Sequence, residues 1–154
     1  MRRACVWGGM VFHTLPGSVA VTPITSWQLE APLNIAGDLR AFDALLTGDA
    51  YTDAERLVVD DVPTELEVLK VGHHGSDTST DSILLARARP EVALVSAGRF
   101  NRYGHPDLGV LARLEHSGAR VWRTDTQGTI SVLARRDASY TVSGERRAPG
   151  ASDR

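Results

Sequence analysis

Between residues 39 and 133, short apolar runs with strand character alternate with segments whose apolar residues recur at helical spacing, and no other feature restricts the fold as much. "LRAFDALLTGD" (39–49), "LEVLKV" (66–71), "EVALVSAG" (91–98) and "ARVWRT" (119–124) read as strands. Between them, "TDAERLVVDD" reads as a short helix with a Thr cap, early acids and Ala54, Leu57 and Val58 on one face. "STDSILLARARP" reads as a Ser/Thr-capped helix stopped by Pro90, and "PDLGVLARLEHSG" as a helix ended by Gly118. "DTQGT" (125–129) is expected to make a hairpin turn into the strand "ISVLARR", with "SYTVSG" as one more strand. Strand and helix in alternation predict an α/β layered fold, with helices covering a sheet.

The 154 residues suffice for one domain with a real core, placed at 1–144, followed by a polar, Pro/Gly-containing tail at 145–154 that is expected to be disordered. The start is less regular. Residues 4–13 read as one or two strands, "TLPGS" (14–18) as a turn, and "SWQLEAPLN" (26–34) as weakly alternating. Two arginines and a short apolar stretch imitate a secretory leader, but Gly8, Gly9 and His13 interrupt it and suit a strand pair better. No apolar run approaches the roughly 20 residues of a spanning helix. The chain alone is therefore expected to be soluble, and cytoplasmic unless an export signal operates.

With 42% apolar and 23% charged residues the composition is that of a globular protein, and a net charge of -2 gives no overall attraction for nucleic acid. Cys5, the single cysteine, has no partner for an internal disulfide. Function must be sought in local motifs.

Three polar segments each follow an apolar strand: "TGD" (47–49), "HHGS" (73–76) and "NRYGHP" (101–106). In open α/β sheets, ligands gather beyond the carboxyl ends of the strands, so the three loops are expected to converge. Their residue types suit metal-assisted hydrolysis: a carboxylate on a glycine turn to bridge cations, an imidazole to ligate one, and a second histidine to stabilise a leaving oxygen. Asp49, the pair His73 and His74, and His105 are the candidates for these roles. Each has a plainer reading. A Gly-Asp turn is often only a turn, adjacent histidines on a strand point to opposite faces so that one of them packs away from the site, and "NRYGHP" alone is a surface loop. Lys70, Ser76, Asn101 and Tyr103 flank the loops as candidate substrate contacts, with Lys70 otherwise a solvated strand residue. His116 at a helix end and His13 are read as structural.

Taken together, "LLTGDA…LEVLKVGHHGSDTST…PEVALVSAGRFNRYGHPDLGVLARLEHSGARVWRTDTQGTI" closely resembles the carboxyl-terminal part of the metallo-β-lactamase-like domain of ComEC family competence proteins, over roughly residues 34–133. The resemblance implies an αββα sandwich with two divalent metal ions, manganese or zinc, at one edge. It matches Asp49 to a bridging carboxylate, the pair His73 and His74 to a histidine ligand, with His73 preferred as first off the strand, and His105 to a position near a scissile phosphate. It further implies an extracytoplasmic phosphodiesterase acting on incoming DNA during competence, attached to a membrane channel. The chain departs from the pattern in one respect: the family's first metal motif, HxHxDH-like or HxDxDH-like, is absent from residues 1–48, and the usual Asn-Asn-x-Ser appears as "LNIAGD". The expectation is then a second half-sandwich with at most a weak single-cation site. The competing reading is an inactive, truncated or split fragment whose upstream half is encoded elsewhere. A half-sandwich is further expected to leave an apolar sheet face bare and available for self-association.

Overall fold

The computed structural model of the chain describes residues 10–15, 18–23, 33–37, 42–135 and 137–146. The leader-like start before residue 10, most of "SWQLEAPLN" and the tail from residue 147 lie outside the described residues. In chain order the strands are β1 (Met10–Leu15), β2 (Ser18–Pro23), β3 (Leu33–Gly37), β4 (Ala44–Leu46), β5 (Val68–Lys70), β6 (Val92–Val95), β7 (Arg120–Arg123), β8 (Ile130–Ala134) and β9 (Tyr140–Gly144). The helices are α1 (Thr52–Val58), α2 (Ser82–Ala88), α3 (Leu108–His116) and the single turn α4 (Thr124–Gln127).

The α/β expectation is met. Strands β4-β5-β6-β7 form a parallel sheet in that order, with Leu46 opposite Lys70 and Lys70 opposite Leu94. Strand β6, "VALV", is buried at all four positions, as a central parallel strand covered on both sides must be. On one face, Leu45, Leu69, Val71, Ala93 and Val95 pack against Leu84, Leu85 and Ala88 of α2 and Val110 and Leu114 of α3. On the other, Phe42, Leu46, Val68, Val92 and Leu94 share a core with Ile130, Val132 and Ala134 of β8 and with Tyr140 and Val142 of β9. Strand β8 pairs in parallel with β3 and antiparallel with β9. Helices, the parallel sheet and the β3-β8-β9 sheet therefore make three layers, and β1 and β2 pair antiparallel in a separate two-stranded sheet.

This corrects the expectation of a bare sheet face, because the carboxyl-terminal strands fold back over it and remove that reason to expect self-association. The hairpin expected at 125–129 is also corrected. Strands β7 and β8 belong to different sheets, and α4 with Gly128 carries the chain across. A third correction concerns α1. It has no side-chain cap, its one buried residue is Glu55, and the apolar stripe expected to face the core instead leaves Leu57 86% exposed. Ala54, Leu57 and Val58 line an open apolar cavity of about 340 Å³ together with Leu45, Val62 and Leu84.

Aspartates cap α2 and α3, in α2 instead of the expected Ser/Thr hydroxyl. Asp81 accepts from the Ile83 N–H at 3.0 Å, and Asp107 from those of Gly109 and Val110 at 2.7 and 3.3 Å. Among the described residues, no helix is long and apolar enough to cross a membrane.

Candidate functional site

The three loops singled out in the sequence do meet, at the carboxyl ends of β4, β5 and β6, and backbone bonds hold them there. The His73 N–H donates to the Gly48 carbonyl at 2.9 Å, joining "HHGS" to "TGD". The Asp107 N–H donates to the Gly75 carbonyl at 2.8 Å, joining "HHGS" to "NRYGHP". The Thr47 hydroxyl donates to the Lys70 carbonyl at 3.0 Å, closing the ends of β4 and β5.

The histidine pair is not on a strand. It lies in a tight turn at 72–75, with His73 at φ 46° and His74 at φ 58°, both in the left-handed region. Histidine is among the few non-glycine residues enriched there, but each such residue still carries strain that the surroundings must hold. The alternation that would send the rings to opposite faces does not apply to such a turn. Gly72 and Gly75 make the turn fit. A Cβ on Gly75, whose φ is +84°, would lie 2.6 Å from the Pro106 Cβ.

His74, not His73, faces Asp49: its Nε2 lies 3.8 Å from Asp49 Oδ1. Its Nδ1 lies 2.9 Å from the Ser96 carbonyl at the end of β6. A carbonyl only accepts, so this bond places the proton of the neutral ring on Nδ1 and the lone pair on Nε2, toward the carboxylate. Such second-ring-nitrogen bonds to a carbonyl orient metal-ligating histidines. His73 stands alongside, its Nδ1 3.4 Å from the Thr78 hydroxyl and its ring centroid 6.1 Å from that of His105. Burial, then the nearness of His73 and His74, lowers the His105 pKa below its ordinary 6.5, with Asp77 and Asp107 opposing.

A cation's two ligands, each about 2.0–2.2 Å from it, sit roughly 3–3.5 Å apart. The Asp49–His74 pair is near that separation and fits as part of a coordination sphere. Among the described residues, no three His, Cys, Asp or Glu side chains converge to hold an ion.

The remaining candidates fall into two groups. Tyr103 is 57% exposed, its ring nearly parallel to that of His105 at 6.0 Å. The other three are occupied in structure. Asn101 spends its amide on the loop itself, donating to the Gly98 and His105 carbonyls at 2.8 and 2.7 Å and accepting from the His105 N–H at 2.9 Å. Ser76 is buried and bonds to the Thr78 hydroxyl at 3.0 Å. Lys70 is 5% exposed and shares the inter-sheet side of β5 with Val68, which corrects the solvated reading.

Sequence reasoning missed the scaffold behind the turn. Glu55, 1% exposed, accepts from the Thr80 and Asp81 N–H groups at 2.8 Å each. Burial raises its pKa, against the lowering effect of those two bonds. Arg113 of α3 donates to the Ser79 and Thr80 carbonyls at 3.0 and 3.2 Å. Ser79 donates back to the Gly72 carbonyl at 2.8 Å. The hydroxyl cluster after "HHG" thus serves as the turn's support. No sequence signal marks Glu55, which sits among ordinary helix-surface residues, whereas Ser96 was findable as the residue after a buried strand.

No protein-family model matches the chain, and no solved structure matches it at a significant level. Curated proteins similar to it include ComE operon protein 3 of Bacillus subtilis, 45% identical over 87 residues, Recombination protein 2 of Haemophilus influenzae, 41% over 88, and Competence protein ComA of Neisseria gonorrhoeae, 39% over 88. The matched segments cover 56%, 57% and 56% of this chain but only 11%, 11% and 13% of those proteins, so the chain spans a small part of their length. Over that segment the chain is similar to these ComEC-like competence proteins.

Proposed function

We propose that this chain forms part of a metallo-β-lactamase-like, metal-dependent phosphodiesterase that acts on DNA during competence. The observation that carries the reading is His74, fixed through Nδ1 to the Ser96 carbonyl with Nε2 directed at Asp49. Support for the fold comes from two facing sheets with helices on the outer side of the parallel one. DNA enters through the relatives' competence and recombination names, not through any basic groove.

In this reading Asp49 and His74 hold a divalent cation, manganese or zinc. When bound, that ion supplies positive charge to polarise a phosphoryl oxygen and to acidify water. His105 offers a ring N–H to the departing oxygen, with burial first and its histidine neighbours second favouring its neutral form. Asn101 holds the His105 backbone in place for that role. The purified chain is expected to cleave DNA only with a divalent cation, and Asp49→Ala to abolish cleavage; cleavage unaffected by that substitution sinks the reading.

A second reading rests on the two-donor set: the chain supplies Asp49 and His74, and another polypeptide completes the sphere and links the site to a membrane channel. The chain alone is then silent, and adding the upstream half of a relative's domain restores cleavage. Silence both alone and with that addition argues against both readings.

A further inference from the structure

Three aromatic residues stand exposed in the site loops or beside them: Tyr51 at 55%, Phe100 at 90% and Tyr103 at 57%. Three of the contacts around the site run ring to ring. Tyr51 meets the His73 ring edge-on at 5.2 Å, His73 lies 6.1 Å from His105, and His105 lies nearly parallel to Tyr103 at 6.0 Å. Two of the aromatics also carry a guanidinium. Arg99 lies over the Phe100 ring at 5.4 Å from its centroid, and Arg102 over Tyr103 at 5.1 Å while donating to the Tyr103 hydroxyl at 3.0 Å.

Phe100 and Tyr103 lie three residues apart in one loop beside the site, and the cation over each ring narrows the chemistry that fits them. Each Arg–aromatic pair presents a π-surface and a positive charge within one side chain's width. That combination suits a planar base joined to a phosphate, the repeating unit of a nucleic acid. It suits an unpaired strand better than a duplex, because paired bases keep their faces stacked inside and show only edges. Duplex binding driven by phosphates alone needs many cations, and this chain carries a net charge of -2.

We infer that loop 98–105 is a stacking platform for an unpaired nucleic-acid strand, with Phe100 and Tyr103 stacking bases and Arg99 and Arg102 pairing phosphates at the mouth of the Asp49–His74 site. This rests on the phosphodiesterase reading for the strand's destination, but the binding itself needs no metal. With two phosphate contacts, affinity for a single strand falls with salt at a log–log slope of about -1.4, at about 0.7 per contact. Each stacked base contributes about five-fold to a hundred-fold in affinity.

The test is fluorescence anisotropy of a labelled oligothymidylate in chelator, beside an abasic phosphodiester strand and a duplex of equal length. Binding is expected to favour oligothymidylate over both, and to weaken at least five-fold in Tyr103→Ala and in Phe100→Ala, each with unchanged thermal unfolding. Equal affinity for the abasic strand removes stacking, and equal affinity for the duplex removes the preference for unpaired strands. Binding that prefers anionic lipid vesicles reassigns the loop to a membrane surface, and no binding at low salt overturns the platform outright. Metal-dependent cleavage with affinity unchanged by both substitutions refutes this inference and spares the phosphodiesterase. Specific binding without cleavage does the reverse.

Discussion

The substitution Gly75→Ala separates the meeting of the loops from ordinary turn chemistry. Gly75 and Gly104 both have left-handed φ, +84° and +73°, but a Cβ on Gly104 meets nothing within 4 Å, whereas one on Gly75 lies 2.6 Å from the Pro106 Cβ. The left-handed conformation alone costs an alanine about 1–2 kcal/mol at either position. At Gly75 the carbons are also about 1 Å short of the roughly 3.5–4.0 Å optimum. Relieving such overpacking costs about 1–3 kcal/mol, and the Asp107-to-Gly75 bond is strained with it. The expected penalties are about 1–2 kcal/mol for Gly104→Ala and about 2–5 kcal/mol for Gly75→Ala. At about 2–4 °C per kcal/mol for a chain of this size, Gly75→Ala should melt about 2–12 °C below Gly104→Ala in thermal unfolding followed by circular dichroism. Equal shifts for the two variants refute the packing of "HHG" on "GHP", and with it the claim that these loops share one site.

Three further outcomes follow from the same contacts. Glu55→Ala strands the Thr80 and Asp81 N–H groups, and at about 1–3 kcal/mol per orphaned donor it should lower denaturant stability by about 2–6 kcal/mol; a change under about 1 kcal/mol contradicts the clamp. His105 should titrate below 6.5 by NMR and move upward in His73→Ala, since His73 is the largest charge effect lowering it; no movement removes that coupling. Tyr140, whose hydroxyl donates to Glu91, has its pKa raised to about 12 by burial first and that bond second. Its share of stability is therefore intact below its unfolded value of about 10 and fades as pH rises toward about 12. A phenolate step near 12 that falls in Glu91→Gln is the expected result, and no such step contradicts it.

What could be read from sequence was what local patterning carries. "VALV" and "LEVLKV" announce buried strands, Pro90 and Gly118 mark helix ends, and three polar motifs after strands mark a site. What could not be read depended on long-range geometry. The left-handed turn at His73 and His74 brings His74 toward Asp49, whereas the preference for His73 rested only on its coming first off the strand. Glu55 looks like a surface acid until α1 is seen to turn it inward onto residues 80 and 81. The strand after α4 looks like a hairpin partner of β7 until it crosses to cover the second sheet face. Lys70 follows the same rule, since only the second sheet makes its side of β5 an interior.

The central claim is that Asp49 and His74, oriented by the Ser96 carbonyl, are cation ligands. Its most direct test is manganese and zinc titration of the purified chain by calorimetry, beside Asp49→Ala, His74→Ala and His116→Ala. Binding that is weakened at least ten-fold by the first two substitutions and untouched by the third is the predicted result. Binding equal in all four proteins, or weakened by His116→Ala and not by Asp49→Ala or His74→Ala, contradicts it.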